Sequence, residues 1–242
     1  MEEFLSEKRV VKNIIDKVDG LISQDEGEFL YNMAKDCKGE KGAIVEIGSY
    51  KGRSAICLGK GSKAGSQVKI YAIDPHKDLP IHITKVPDTY EVLMSNIQFT
   101  GVSDIVLAIV KTSAEAAKIF NETVQFLFID GNHDYEAVKL DFDLWYPKVI
   151  NGGIIAFHDH SRAGPLKVIK NNILSGSKHF ADVGIVDSIL FARKVRESSL
   201  RDRIKSYFIF FIYKCRDLYY CIPMRPTVRL VPKILKALKI MQ

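Results

Sequence analysis

The chain has 242 residues, of which 47% are hydrophobic, so it is long enough to bury a full apolar core. Its net charge of +6 is unevenly placed, because residues 201–242 hold ten Lys or Arg and two Asp or Glu, while residues 1–200 carry a net charge of −2. The main part of the chain therefore gives no electrostatic reason to expect nucleic acid as a partner.

The four cysteines show no CxxC pair and no regular spacing, so a disulfide framework or a zinc site is not indicated. The charged N-terminus lacks an apolar core of signal-peptide length, and no run approaches the ~18 apolar residues that cross a bilayer. We therefore expect a cytoplasmic protein, with its basic tail as a candidate contact with the inner face of a membrane.

Helical and strand patterns alternate along the chain. Residues 2–36 are predicted to be helical, with a capping-box pattern at Ser23 and Glu26. Short apolar runs predict seven strands: Ala43–Ile47, Val68–Asp74, Asp104–Val110, Phe126–Asp130, Gly153–Asp159, Ala181–Val186 and Ser188–Lys194. The intervening helices are predicted at Arg53–Lys60 (broken by Gly61 and Gly65), Thr89–Phe99, Ala114–Phe120 and Tyr135–Val149.

This alternation predicts an α/β fold with a doubly wound, mostly parallel, Rossmann-like seven-stranded sheet. The last two strands are separated only by Asp187, so we expect a hairpin in which one strand is antiparallel to the rest. The expected organisation is N-terminal helices over residues 1–41, a catalytic domain over 42–196 and a basic, aromatic helical tail over 197–242.

A glycine loop joins the first strand to the first helix of the sheet. The run EIGSYKGRS (Glu46–Ser54) has the spacing G-x-x-x-G, with Tyr50 between Gly48 and Gly52. These glycines let the backbone turn and approach a ligand without a Cβ, and the following helix points free N–H groups at that ligand. The alternative is a tight strand-to-helix turn with no ligand. The spacing is not the G-x-G-x-x-G of NAD enzymes.

Two further strand ends add groups suited to a nucleoside. Asp74 can accept both hydroxyls of a ribose, and Thr112 and Ser113 can contact an adenine edge. Because no lysine-bearing phosphate loop is present, these groups favour an adenosine ligand without phosphates. The candidate cofactor-binding residues are Glu46, Gly48, Ser49, Gly52, Ser54, Asp74, Ser113 and Asp130.

Acids and histidines follow two neighbouring strands. The fourth strand delivers Asp130, His133 and Asp134, and the fifth delivers His158, Asp159 and His160. The carboxyl ends of parallel strands open onto one crevice, so we expect Asp130 and Asp159 side by side, able to hold a divalent cation.

Each of these side chains also has a structural interpretation. Asp130 could cap a helix, His133 could only orient a neighbour, and His160 could be exposed. Asp141 is expected on a solvated helix face, and Trp145 in the core.

The segment from Gly42 to Lys194 resembles the class I S-adenosylmethionine (SAM) methyltransferases. Its Glu46-x-Gly48-x-x-x-Gly52 loop, Asp74, and IDGNHDYEAVKLDFDLW followed by GGIIAFHD carry the likeness. More narrowly, it is similar to the metal-dependent sugar O-methyltransferases that include the macrocin and mycinamicin enzymes and a cephalosporin-cluster relative.

The resemblance implies a SAM-dependent O-methyltransferase that acts on a sugar or other small-molecule or glycan hydroxyl. It assigns Asp130 and Asp159 as Mg²⁺ ligands and His133 as the base that takes the hydroxyl proton. Asp134 and His158 are weaker candidates for ligand or supporting roles. The alternatives are an NAD- or nucleotide-sugar-binding Rossmann oxidoreductase and a catalytically degenerate methyltransferase-fold interaction protein.

Two further segments have open interpretations. The long connection Pro75–Val102, with Pro80, His82 and Pro87, could form a lid, a substrate wall or an oligomer contact, and His76 could touch cofactor or substrate.

In the tail, one helical face and a basic final helix suit either a membrane surface or a packing or dimerisation contact, which includes a homo-oligomer. The residues concerned are Ile204, Phe208, Phe211, Cys215 and Leu218 on the face, and Lys233, Lys236 and Lys239 in the final helix.

Overall fold

The computed structural model describes residues 2–76, 88–175 and 177–220. Seven strands form one sheet at its centre. They are β1 (Ala43–Ile47), β2 (Ile70–Ile73), β3 (Val106–Ile109), β4 (Val124–Ile129), β5 (Val149–Phe157), β6 (Phe180–Val186) and β7 (Ile189–Lys194). All seven overlap the strands predicted from apolar runs.

Helices connect and flank these strands. They are α1 (Glu2–Lys17), α2 (Gln24–Asp36), α3 (Arg53–Ala64), α4 (Thr89–Thr100), α5 (Ser113–Ile119), α6 (Tyr135–Trp145), α7 (Ala163–Ile169) and α8 (Leu200–Tyr220). Short 3₁₀ turns occur at Gly39–Lys41 and Tyr146–Lys148, and a π-helical turn follows α7 at Lys170–Leu174. The predicted capping box of Ser23 and Glu26 is confirmed at the start of α2.

The strand order is β3-β2-β1-β4-β5-β7-β6. Strands β1 to β5 pair in parallel, and β7 is antiparallel to both of its neighbours, β5 and β6. The predicted doubly wound, mostly parallel sheet with one antiparallel strand is therefore confirmed. The chain reverses its winding between β1 and β4, and at such a switch point the carboxyl ends of the strands open a crevice for ligands.

Two apolar layers cover the two faces of the sheet. Side chains of a strand alternate between faces, so Ile44 joins the layer beneath α1 to α4 while Val45 joins the layer beneath α5 to α8. The N-terminal helices contribute Val11 and Leu30 to the first layer, and α8 contributes Ile209 to the second. The N-terminal helices and α8 therefore pack on opposite faces of the same sheet.

The first sheet helix is longer than predicted. We expected Gly61 to interrupt it, but α3 continues to Ala64 and ends at Gly65. A Cβ on Gly61 would lie 2.0 Å from the carbonyl oxygen of Tyr31 in α2. Gly61 is therefore a contact point between two helix backbones, a property that cannot be read from the sequence around it.

The last described helix, α8, packs on β6 and on the π-helical turn, with Ser206 and Ile209 buried. Among the described residues, no helix is both long enough and apolar enough to cross a membrane. The predicted lid residues Pro80, His82 and Pro87, and the predicted final helix with Lys233, Lys236 and Lys239, lie outside the described residues.

Gly61→Ala is expected to lower the free energy of unfolding by about 2 kcal/mol or more, because the added methyl group meets the α2 backbone. The loss should occur although alanine is the better helix former by about 1 kcal/mol. Urea unfolding followed by circular dichroism measures it. Gly39→Ala is the control, since its Cβ would lie 3.8 Å from the nearest atom. Equal stabilities for Gly61→Ala and the unmodified protein would contradict a tight contact between α2 and α3.

Candidate active site

The register of β4 and β5 determines which side chains meet in the crevice. Ile129 pairs with Phe157, and the N–H of His158 donates to the carbonyl of Ile129 at 3.0 Å. Asp130 therefore has His158 as its neighbour across the strands, and Asp159 lies one residue further along. The two strand ends do meet, as predicted, but an imidazole is the group next to Asp130.

His158 is buried between two carboxylates. Its Nδ1 lies 2.9 Å from Asp130 Oδ1, and its Nε2 lies 3.5 Å from Glu26 Oε2. Burial by itself would lower the pKa of His158, but its contacts with Asp130 and Glu26 outweigh burial and raise the pKa to about 10. His158 is therefore a cation at neutral pH. Burial raises the pKa of Asp130, although His158 favours the charged carboxylate.

Glu26 reaches this site from α2. Its Oε2 accepts a hydrogen bond from the Ser23 N–H at 2.8 Å, and its Oε1 accepts from the N–H of Ser188 at 2.9 Å and from the Ser188 hydroxyl. Burial opposes its charge, but these contacts and His158 lower the pKa of Glu26 to about 2. The sequence signals Glu26 only as the acid of a capping box, so its place in the site was missed.

His133 faces the same crevice from the loop after β4. Its Nε2 lies 3.3 Å from Asp159 Oδ2 and 3.9 Å from Asp130 Oδ1. Burial, together with the Arg162 guanidinium 3.5 Å from its Nδ1, lowers the pKa of His133 despite the two acids. The imidazole is thus neutral at neutral pH, which is the form that a general base requires.

Asp159 is held in a turn after β5. Its backbone is left-handed, with φ of 48°, and its Oδ2 lies 2.8 Å from Arg162 Nε. The carbonyl of Asp159 also accepts the Arg162 N–H at 2.8 Å. The pairing register alone would place Asp159 one residue beyond the position next to Asp130. The left-handed turn and the contact with Arg162 direct its carboxylate toward His133.

Three of these side chains form a candidate donor set for a divalent cation. Ligand atoms of Asp130, His133 and His158 lie within 4.8 Å of one another. Both nitrogens of His158 face carboxylates, and Asp159, the other predicted ligand, contacts the His133 imidazole at 3.3 Å. Asp134, the weaker candidate, is exposed at the start of α6.

The predicted glycine loop lies beside this cluster. Gly48 and Gly52 have φ of 89° and 90°, in the left-handed region that favours glycine. A Cβ on Gly48 would lie 2.2 Å from the carbonyl oxygen of Asp130, and a Cβ on Gly52 would lie 2.4 Å from Leu93 Cδ1. The two glycines are therefore needed for the turn and for close packing against other parts of the protein. We expected them to leave space for a ligand, but the atoms that would clash with a side chain here belong to the protein itself.

Asp74 ties the ends of β1 and β2 together. Its carboxylate accepts hydrogen bonds from the N–H groups of Tyr50 and His76, each at 2.8 Å. Its side chain remains 19% exposed, so an oxygen edge stays accessible beside the glycine loop. His76 is buried, with Nδ1 2.9 Å from the Thr89 hydroxyl.

Glu46 and Ser49 are buried polar groups without hydrogen-bond partners among the described residues. Glu46 is fully buried, and neither of its carboxylate oxygens has a hydrogen-bond partner among the described residues. The buried Ser49 hydroxyl also lacks one. Burial raises the pKa of Glu46 to about 8, although a contact with Ser54 that falls outside hydrogen-bond geometry favours the charged form. Buried polar groups in native proteins are normally paired, so these groups indicate a polar ligand against the loop.

Ser113 behaves differently. Its Oγ accepts a hydrogen bond from Trp145 Nε1 at 2.8 Å, and Thr112 caps α5. Asp141 lies buried beside Ser113, and burial raises its pKa to about 6. The prediction that Asp141 lies on a solvated face is therefore wrong, because that face of α6 packs toward the sheet. The prediction that Trp145 is a core residue is confirmed.

His160 is also buried rather than exposed, and that prediction is wrong. Its N–H donates to the Ser188 carbonyl at 3.1 Å, and its Nε2 lies 3.3 Å from the Asp187 carbonyl. The turn between β6 and β7 covers it. Within this turn, Asp187 contacts His160, and Ser188 contacts both His160 and Glu26.

A family model described as a methyltransferase domain matches residues 45–160. The match covers 116 of the 242 residues. It starts in β1 and ends just after Asp159, so it contains the glycine loop and Asp130, His133 and His158. Glu26 and α8 lie outside it.

Curated relatives match about half of the chain. The uncharacterized protein y4gI of Sinorhizobium fredii is 31% identical over 119 residues, which are 48% of this chain. The chain spans 13% of that relative's length and 58% of the length of another curated relative that it matches.

Solved methyltransferases share the architecture. The O-methyltransferase from Bacillus cereus in complex with SAH superposes with a TM-score of 0.54 at 16% identity, covering 77% of this chain and 91% of that chain. TomG from Streptomyces achromogenes, an O-methyltransferase of tomaymycin synthesis in complex with SAM, gives 0.54 at 17% identity, covering 79% and 89%. At these identities the likeness shows the fold, which is the Rossmann-like methyltransferase fold.

His158→Gln is expected to lower the free energy of unfolding by about 3 kcal/mol or more near pH 6, because it leaves the buried Glu26 carboxylate and the partly buried Asp130 carboxylate without their shared cation. The pKa of His158 rises from 6.5 to about 10 on folding. Its stabilisation is therefore complete below the unfolded pKa and is lost as the pH rises through the folded pKa.

Urea unfolding of the unmodified protein and of His158→Gln between about pH 6 and pH 10 measures this difference, which should shrink as the pH rises. His179→Gln, at an exposed histidine, is the control. A difference that stays constant with pH would show that His158 carries no stabilising charge.

Proposed function

We propose that this protein is a SAM-dependent O-methyltransferase that methylates a hydroxyl of a sugar or glycoconjugate with the help of a divalent cation. The observation that carries the proposal is the pair of buried, unpartnered groups Glu46 and Ser49 beside the glycine loop. They lie in a methyltransferase domain, next to a neutral histidine and two carboxylates.

The charges around the loop favour SAM over a phosphorylated nucleotide. SAM carries an ammonium and a sulfonium besides its carboxylate, and a cationic group bound beside the buried carboxyl of Glu46 would favour the ionised form of that carboxyl. The only lysine of the loop, Lys51, is engaged outside the crevice, with its Nζ 2.6 Å from Asp19 Oδ2. Both solved neighbours described above hold SAM or SAH. Asp74 would then receive the ribose hydroxyls at its accessible edge.

His133 is suited to take the proton of the acceptor hydroxyl. In the proposed reaction the acceptor oxygen would attack the methyl carbon of SAM, the carbon–sulfur bond would break with its electron pair going to the sulfur of the released SAH, and the hydroxyl proton would pass to the His133 imidazole. The enzyme's part is mainly positioning and charge.

Asp130 and Asp159 would hold the cation. A bound divalent cation would lower the pKa of the acceptor hydroxyl. Asp159 also contacts Arg162, which keeps the carboxylate turned toward His133. The sugar acceptor is supported by the D-G-x-H-x-Y and H-D motifs that this chain shares with sugar O-methyltransferases.

The alternatives have less support. An NAD- or nucleotide-sugar oxidoreductase is disfavoured by the glycine spacing and by the matched methyltransferase domain. A catalytically degenerate interaction protein is disfavoured because Asp130, His133 and Asp159 are all present and lie together.

Isothermal calorimetry of the full chain is expected to show binding of SAM and no binding of NAD. Glu46→Gln should weaken SAM binding about tenfold or more, because it removes a carboxyl that would face the ligand's ammonium. Glu40→Gln, at an exposed glutamate of the 3₁₀ turn, is the control. Absence of SAM binding to the unmodified protein would overturn the proposed function.

A panel of glycan and sugar acceptors, screened for transfer of a radiolabelled methyl group, tests the reaction. With an acceptor in hand, His133→Ala should lower kcat by about a hundredfold or more while SAM affinity changes little. A chelator should abolish transfer, and added Mg²⁺ should restore it. Full activity and a full metal response in Asp159→Ala would contradict the metal assignment.

A further inference from the structure

We propose that Glu26 is a positioning residue of the active site: it holds His158 against Asp130 and so fixes the Asp130 carboxylate for a divalent cation. This inference rests on the proposed function for its chemistry. Its structural basis is separate, because Glu26 belongs to α2, outside the matched methyltransferase domain.

The three side chains form a row. Glu26 Oε2 lies 3.5 Å from one ring nitrogen of His158, and Asp130 Oδ1 lies 2.9 Å from the other. Both ring nitrogens of His158 therefore face carboxylate oxygens, at distances of an ion pair. His158 is therefore a bridge that transmits the position of Glu26 to Asp130.

Burial and hydrogen bonds restrict the Glu26 side chain. It is 2% exposed, and its oxygens accept hydrogen bonds from Ser23 in the α2 cap and from Ser188 in the β6–β7 turn. The capping box, the β6–β7 turn and the end of β5 are thus joined at one carboxylate. Groups that orient metal ligands from outside typically contribute about 10- to 100-fold in metal affinity or activity.

The test compares Glu26→Gln with Glu28→Gln, the same substitution on the same helix at a residue whose ion pair is with Lys8. Mn²⁺ affinity, measured by calorimetry or electron paramagnetic resonance, should fall about 10- to 100-fold in Glu26→Gln. SAM affinity should change by less than about threefold, because Glu46 and Ser49 are untouched. Glu28→Gln should match the unmodified protein in both measurements.

Three results would overturn the proposal. They are an unchanged Mn²⁺ affinity in folded Glu26→Gln, an equal loss of Mn²⁺ and SAM binding, and an unmodified protein that binds SAM but no divalent cation. Absence of SAM binding to the unmodified protein is the separate result that would overturn the proposed function.

A second, independent observation concerns α8. Its inner side packs on the domain through Ser206 and Ile209, and its outer side exposes apolar and aromatic side chains. We define this outer apolar face as Leu200, Ile204, Tyr207, Phe208 and Phe211, which are 39% to 66% exposed. Their spacing of three and four residues places them on one stripe of the helix.

The charges beside this outer apolar face are basic. Arg201 and Lys205 flank it. The acid of the first turn, Asp202, accepts hydrogen bonds from the hydroxyl and the N–H of Ser199 at 2.6 and 3.2 Å. Apolar and aromatic side chains bordered by cations match a surface of anionic lipid headgroups. We infer that the outer apolar face of α8 lies on an anionic membrane surface.

Co-sedimentation of the full chain with vesicles tests this inference. The protein should bind vesicles that contain about one part phosphatidylglycerol to three parts phosphatidylcholine, bind pure phosphatidylcholine weakly, and lose affinity in high salt. The double variant Phe208→Glu/Phe211→Glu should lose at least about tenfold in affinity for the anionic vesicles. Phe99→Glu, at a phenylalanine that is 72% exposed on α4, is the control.

Absence of binding by the unmodified protein, or equal binding by the double variant, would overturn the membrane assignment. Analytical ultracentrifugation adds the competing outcome. If the unmodified chain is a dimer that the double variant converts to a monomer, the outer apolar face is an interface between two copies and the lipid proposal is wrong.

Discussion

The pairing register between β4 and β5 is the constraint on which the rest of the site depends. It places His158 beside Asp130 in a buried crevice. A buried carboxylate and a buried imidazole need further partners to remain charged, and Glu26 supplies one from α2. The N-terminal helices are therefore bound to the active site by electrostatics as well as by apolar packing, and the β6–β7 turn joins them through Ser188.

The sheet could be predicted from the sequence because each of its strands contains a short apolar run. This signal is local, and it suffices for strand identity and for the alternation that gives a parallel sheet. Gly61 shows where locality fails. Its role depends on the carbonyl of Tyr31, thirty residues earlier in the chain, and no pattern around Gly61 reports which backbone will approach it.

The same distinction separates the correct and incorrect site predictions. That Asp130, His133 and Asp159 come near one another follows in part from two neighbouring strand ends. The turn after β5 and the contact of Asp159 with Arg162 do the rest. The burial of Asp141 and His160 depends on what covers them, α6 packing in one case and the β6–β7 turn in the other. The capping box at the start of α2 was a sufficient local explanation for Glu26, so the sequence offered no reason to expect its contact with His158.

Hydrogen-bond capacity distinguishes the predicted cofactor residues from one another. Ser113 is engaged by Trp145, and both oxygens of Asp74 accept backbone N–H groups, whereas Glu46 and Ser49 have no partner among the described residues. Burying a carboxyl without a partner is costly, so a ligand that satisfies Glu46 would also stabilise the fold. Cofactor binding and folding should therefore be linked through the first strand, and the carboxyl of Glu46 is the group through which that linkage acts.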